Sequence, residues 1–276
     1  MILNYKEAGL ADAPPLVMLH GLLGSSRNWA CVGRILTEHF RVITVDARNH
    51  GSSFHAPTLT FDDMVEDLLK LLSHLDLSSA TFMGHNMGGK VAMRSACRYP
   101  DTIDRLFVID SAPKDYPNFH EQEFEAMNAL DLGSLKNRSD ADGQLAEFID
   151  DWAFRQFLIS NLQRNEAGAF EWMINLPVIE THIPLLSKNV LELEDTFEGF
   201  AYFLVGGNSH FVDSADHTDI RFHFPQASIE IWDDSAIILI SSTGSGLWNG
   251  WWKRLKDEDG SLSNRSLDHY LDPDLI

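Results

Sequence analysis

The sequence predicts an α/β fold: a mostly parallel, doubly wound sheet carrying an inserted helical cap. Three observations predict it. Short apolar runs end abruptly in polar or glycine turns, helical periodicity fills the gaps between them, and the alternation breaks once, in mid-chain, for a long helical stretch.

The first run, Leu16 to Leu19, meets His20 and Gly21, and the second, Phe40 to Val45, meets Asp46. Ala80 to Met83 leads into Gly84, and Leu106 to Ile109 into Asp110. Each reads as a buried strand ended by a turn. Between them Met64, Leu68, Leu72 and Leu75 recur at helical spacing, as does the segment from Val91 to Cys97. Strands alternating with helices give a parallel sheet whose sites lie beyond the carboxyl ends of its strands.

After Pro113 the rhythm changes. Amphipathic stretches around Phe148, Trp152, Phe157, Leu158 and Trp172 follow with no clear strand, which marks the helical cap. Strand rhythm returns with Phe200 to Val205, a helix near Ser214 to Phe224, and Ser228 to Trp232. The expected organisation is a core of residues 1–117 and 188–235, a cap of 118–187, and an atypical tail of 236–276.

With 44% hydrophobic residues and 22% charged, the 276-residue chain suits a globular protein with a large core. A net charge of −20 argues against nucleic acid or an anionic membrane as partner, because like charges repel. No basic start runs into an apolar segment, and only Cys31 and Cys97 are present, so a reducing cytoplasm is expected. Nothing calls for a metal or an organic cofactor, and the oligomeric state stays open.

The sharpest motif is Gly84-His85-Asn86-Met87-Gly88-Gly89, after a strand and before a helix. Small residues there allow a tight turn that projects the central side chain into a site. It resembles the nucleophile elbow of the α/β-hydrolase superfamily, with asparagine where that family carries serine. Three further motifs narrow the resemblance to small capped bacterial carboxylesterases that also cleave acyl thioesters. These are His20-Gly21-Leu22-Leu23-Gly24-Ser25, Asp46-Ala47-Arg48-Asn49-His50-Gly51-Ser52 and Ile109-Asp110-Ser111-Ala112-Pro113.

The resemblance implies an α/β-hydrolase fold and assigns roles residue by residue. The backbone N–H groups of Leu22 and Met87 would form an oxyanion hole, each donor worth roughly 3 kcal/mol to the transition state. Asp110 would orient a catalytic histidine, and Ser209, in Gly206-Gly207-Asn208-Ser209, would join that acid in a hydrogen-bonded network. The segment from Asp46 to Ser52 reads as structural. His20, Gly21, His85, Phe119, Phe124 and Trp152 are expected to line the substrate pocket, and the substrate would be a small ester or thioester.

Two departures cut against activity. A neutral amide at Asn86 cannot serve as the nucleophile at neutral pH. The family's Gly-His pair should follow Trp232, with the histidine near Ile237, yet no histidine occurs between His223 and His269. The remaining segment also lacks the amphipathic period of a closing helix. Restoring one base after Ser235 permits a Gly-His pair and an amphipathic helix ending in a stop. The tryptophan codon forces glutamate across Trp248 and Asn249, and valine across Trp251 and Trp252, in that frame. The tail therefore reads as frameshifted, with natural divergence as the alternative.

No other histidine is expected to replace the base, which must come within about 3 Å of the nucleophile. His210 follows a strand end, His85 points away from the site, His20 belongs to the oxyanion loop and His50 to a structural turn. The leading function is thus an ester hydrolase by descent, inactive or strongly impaired as written. The alternatives are a non-catalytic ligand-binding protein on the same fold, or a dehalogenase or epoxide hydrolase whose aspartate has become Asn86.

Overall fold

In the computed structural model, residues 1–117 and 120–232 are described. Seven strands form one sheet in the order β1-β3-β2-β4-β5-β8-β9. They are β1 (Tyr5–Ala8), β2 (Pro15–Leu19), β3 (Arg41–Val45), β4 (Ala80–His85), β5 (Ile103–Ile109), β8 (Ala201–Gly206) and β9 (Ala227–Trp232). All pairings are parallel except that of β1 with β3. This is the mostly parallel, doubly wound sheet that the sequence predicts.

Alternation along the strands explains the two-sided core. Val17, Leu19, Ile43, Val45, Phe82, Leu106, Val108, Phe203 and Val205 share one face, packed with α2 (Phe61–His74) and α3 (Met87–Arg98). On the opposite face α1 (Ala30–Leu36) lies close, so that a Cβ on Gly33 would come into van der Waals contact with Val42, Thr44 and Met18. Helix α2 starts because Thr60 and Asp63 cap each other: Thr60 Oγ1 accepts from the Asp63 N–H at 3.1 Å, and Asp63 accepts from the Thr60 N–H at 3.2 Å. It stays because Met64, Val65, Leu68, Leu71 and Leu72 are all buried, each contributing about 2 kcal/mol.

Between β5 and β8 the chain carries α4 (Glu121–Ala129), α5 (Arg138–Leu145), α6 (Trp152–Ile159), β6 (Leu162–Arg164), β7 (Phe170–Trp172) and α7 (Leu176–Leu186). The expectation of no strand in this stretch is corrected: β6 and β7 pair antiparallel, turning at Gly168 with φ 81°. Three residues per strand are too few to display a period. Helix α8 (Asp216–His223) links β8 to β9. No described helix is long and apolar enough to cross a membrane.

The chain runs from β2 outward to β3 and then crosses back to β4, so β2 and β4 are neighbours whose connections leave in opposite directions. Their carboxyl ends therefore open a crevice, and Leu19 pairs with Gly84 at its floor. The His20 loop and the Gly84 turn meet there.

Candidate active site

Asn86 sits at the turn between β4 and α3 with φ 49° and ψ −115°. A non-glycine residue accepts positive φ only when its surroundings enforce it. Here the glycines do so. A Cβ on Gly84 would stand 2.1 Å from the Gly88 carbonyl oxygen, and one on Gly88 would stand 2.4 Å from that of Leu19. Only a backbone without side chains lets helix and strand approach so closely. The Gly88 N–H donates to the His20 carbonyl at 3.1 Å, tying the turn to the loop after β2.

A small cleft opens over this turn, lined by Leu22, Asn86, Met87, Ser111 and Tyr116 from the core side. His120, Ile183, Leu186 and Ser187 line it from the stretch between β5 and β8, and Phe211 from the loop after β8. Leu22, Asn86 and Met87, expected together from sequence, do share this cleft. The Met87 N–H begins α3, and the first N–H groups of a helix have no intrahelical acceptor. The Asn86 side chain makes no capping hydrogen bond.

Asp110 lies at the end of β5, 1% exposed and at φ 52°. Ser209 Oγ donates to its Oδ2 at 2.7 Å, and the Gly206 N–H reaches Oδ1 at 3.4 Å. Burial pushes this carboxyl above its ordinary range, while the two donors hold it down. The expected pairing of Asp110 with Ser209 is present. Ile237, where the histidine is expected, lies outside the described residues.

His20 and His50 are buried and His85 partly so, and burial lowers the pKa of all three. His20 donates from Nδ1 to the Gly21 carbonyl at 2.8 Å, a tautomer fixed because its Nε2 accepts the Ala47 N–H at 3.0 Å. Burial lowers its pKa, against the raising effect of that carbonyl and of Asp46. Burial and His20 push His85 down to about 4, and the same two causes push His50 to about 3. His85 packs against the loop, since a Cβ on Gly21 would stand 3.0 Å from its Nδ1. His20, Gly21 and His85 thus support the loop without lining the cleft. His210 is exposed.

Two expected pocket residues lie elsewhere. Phe124 is 3% exposed, buried in the apolar core, because it faces inward from α4. Trp152 is 63% exposed at the first position of α6, so it does not line this cleft. Phe119 lies outside the described residues.

Sequence reasoning missed Lys90. Its ammonium reaches the carbonyls of Leu186 at 3.3 Å, Ser187 at 3.4 Å and Lys188, at the carboxyl end of α7. It also stands over the Tyr116 ring at 4.6 Å from the centroid. The signal was a lysine one helical step from Met87 on the buried side of α3. The motif from Asp46 to Ser52 is structural in detail: Asp46 accepts from the Ser26 and Ser52 N–H groups and from Asn4 Nδ2. Arg48 forks onto Asp67 at 2.6 and 2.9 Å. Among the described residues no group of three or more His, Cys, Asp or Glu is placed to hold a metal ion.

Comparison with known proteins agrees with this fold. A family model for the alpha/beta hydrolase fold matches residues 14–227. The chain is 38% identical over 240 residues to the sn-1-specific diacylglycerol lipase ABHD11 of Danio rerio, covering 83% of this chain and 74% of that one. It is 33% identical to esterase YbfF of Escherichia coli strain K12, covering 79% of this chain and 83% of that one. Among solved structures, one titled "Marine microorganism esterase" superposes with a TM-score of 0.88 at 30% identity, covering 92% of this chain and 99% of that one.

Proposed function

The chain belongs to the alpha/beta-hydrolase fold family, and from that premise we propose that it descends from hydrolases of small carboxylic esters or thioesters and has lost their covalent step. One observation carries this reading: Asn86 holds the strained backbone of the nucleophile position, inside the cleft that Leu22 and Met87 share. The backbone N–H groups of those two residues serve as the oxyanion hole, Asp110 and Ser209 stand ready to orient an imidazole, and the stretch between β5 and β8 acts as the cap. Relatives named as esterases and lipases support the substrate class.

In an intact site a serine hydroxyl would attack the acyl carbon, pass its proton to the histidine, and leave an acyl-enzyme for water to cleave. Asn86 has no proton to lose at neutral pH and no lone pair of useful basicity. The oxyanion donors and binding alone give at most about a thousandfold to ten-thousandfold over water.

The test is kcat/KM for a short p-nitrophenyl ester across four versions: the chain itself, Asn86→Ser, the chain with residues 236–276 re-read in the shifted frame, and both together. Triad members act as a unit, so the double repair should exceed the product of the single ones. Full activity in Asn86→Ser alone would refute the account of the base and assign it to a cleft histidine, of which His120 lines the cleft among the described residues.

A further inference from the structure

The backbone angle at Asn86 has chemistry of its own. In an L residue Cβ is offset from the backbone nitrogen by a third of a turn about the Cα–C bond. At ψ −115° that offset brings Asn86 Cβ nearly into eclipse with the nitrogen of Met87. The carboxamide carbon, one bond beyond Cβ, then needs only rotation about Cα–Cβ to reach that nitrogen, completing a five-membered ring. Most asparagines in folded proteins are protected because helical or extended ψ keeps the following nitrogen away from the side chain.

Three further features favour ring closure. The Met87 N–H opens α3 and is free of any intrahelical acceptor. The Asn86 side chain is not held by a capping hydrogen bond. Asn86 is also partly exposed and lines the cleft, so water can reach the product.

We propose that Asn86 is a self-modification site, where the folded turn drives intramolecular deamidation and converts the neutral amide into a carboxylate. The Met87 nitrogen gives its proton to solvent hydroxide and bonds to Asn86 Cγ. The carboxamide nitrogen takes up a proton and leaves as ammonia, which forms a cyclic imide. Water then adds to an imide carbonyl, breaks the ring C–N bond and leaves an aspartyl residue, or its isomer with the chain routed through the side chain. No oxidant or cofactor is needed. Effective concentrations in aligned intramolecular reactions are large, which is why the fold accelerates a step that is slow in an open chain.

The sequence makes the test clean. Trypsin cuts after Lys70 and Lys90, and the peptide Leu71–Lys90 contains Asn86 as its single amide side chain. The purified chain is incubated near neutral pH, folded or held unfolded in urea, and the peptide is weighed by mass spectrometry over days. In the folded chain a gain of one mass unit should accumulate at least about tenfold faster than in the unfolded chain, as expected for a prealigned ring closure. In heavy-oxygen water the gain should rise to three units. Asn86→Gln, which would need a larger ring, should show none. Conversion in the folded chain no faster than in urea would overturn the proposal. The readout is a mass, so it stands whether or not the chain hydrolyses any ester.

Discussion

Replacing Lys90 by methionine keeps the aliphatic stem and removes the ammonium, which isolates what that charge does for α7. The Ser187 carbonyl also accepts from the Tyr116 N–H at 2.7 Å, so it keeps a partner. The Leu186 carbonyl, in the buried bond to Nζ, loses its donor, and an orphaned buried acceptor costs about 1–3 kcal/mol. The Lys188 carbonyl is part-buried and can recruit water. Below pH 7, where the folded chain keeps the ammonium, loss of the cation over Tyr116 removes about 1 kcal/mol more. Together these give about 3 kcal/mol of destabilisation, or roughly 6–12 °C in Tm for a chain of this size. Burial pulls the ammonium down to about 7 from 10.5, against the pull of Asp115. Below 7 both folded and unfolded states hold the proton, and the folded state bears the cost of burying it. Between 7 and 10.5 only the unfolded state does, so rising pH favours the folded parent and the gap to Lys90→Met should widen. Urea unfolding with intrinsic fluorescence, repeated across that range, measures both quantities. A loss under about 1 kcal/mol, or a gap that narrows with pH, would refute the assignment of Lys90 as the clamp on α7.

Gly88→Ala should leave little folded protein, since its Cβ would meet the Leu19 carbonyl oxygen at 2.4 Å; a soluble variant with unchanged Tm would contradict that crowding. Arg48→Met strands Asp67, whose side chain is 3% exposed, and should cost about 3–5 kcal/mol in denaturant unfolding. Asp110→Asn removes a carboxyl whose folded pKa is raised from 3.8, a group that opposes folding as pH rises through that raised value. The variant should therefore gain on the parent from pH 3.8 upward in thermal melts, and a constant difference would count against a buried ionising Asp110.

Buried strands were legible in the sequence because each is nearly all apolar and stops at a turn: β2, β3, β4, β5, β8 and β9 fall within three residues of their expected ends. Strand β1 was not, since Tyr5-Lys6-Glu7-Ala8 is largely exposed and is held by pairing with β3 alone. Asn86, Leu22 and Met87 were legible because a local turn fixes them, and Asp110 with Ser209 because both follow strand ends that the sheet makes adjacent. Lining from His120 and Ile183 was not, because it depends on how the inserted helices settle, which no local period encodes. Trp152 misled for the same reason: a tryptophan promises burial, and the first turn of α6 turns it outward.

Helix α7 is fastened at both of its ends to the sheet half of the molecule. At its start Asn175 donates from its backbone N–H and from Nδ2 to Asn49, and at its finish the last carbonyls meet Lys90. Two such fixed joints leave α7 little freedom to tilt, so the wall that Ile183 and Leu186 give the cleft keeps its place. A substitution at either joint, Asn49 with Asn175 or Lys90 with the end of α7, would free one end of the beam that borders the cleft.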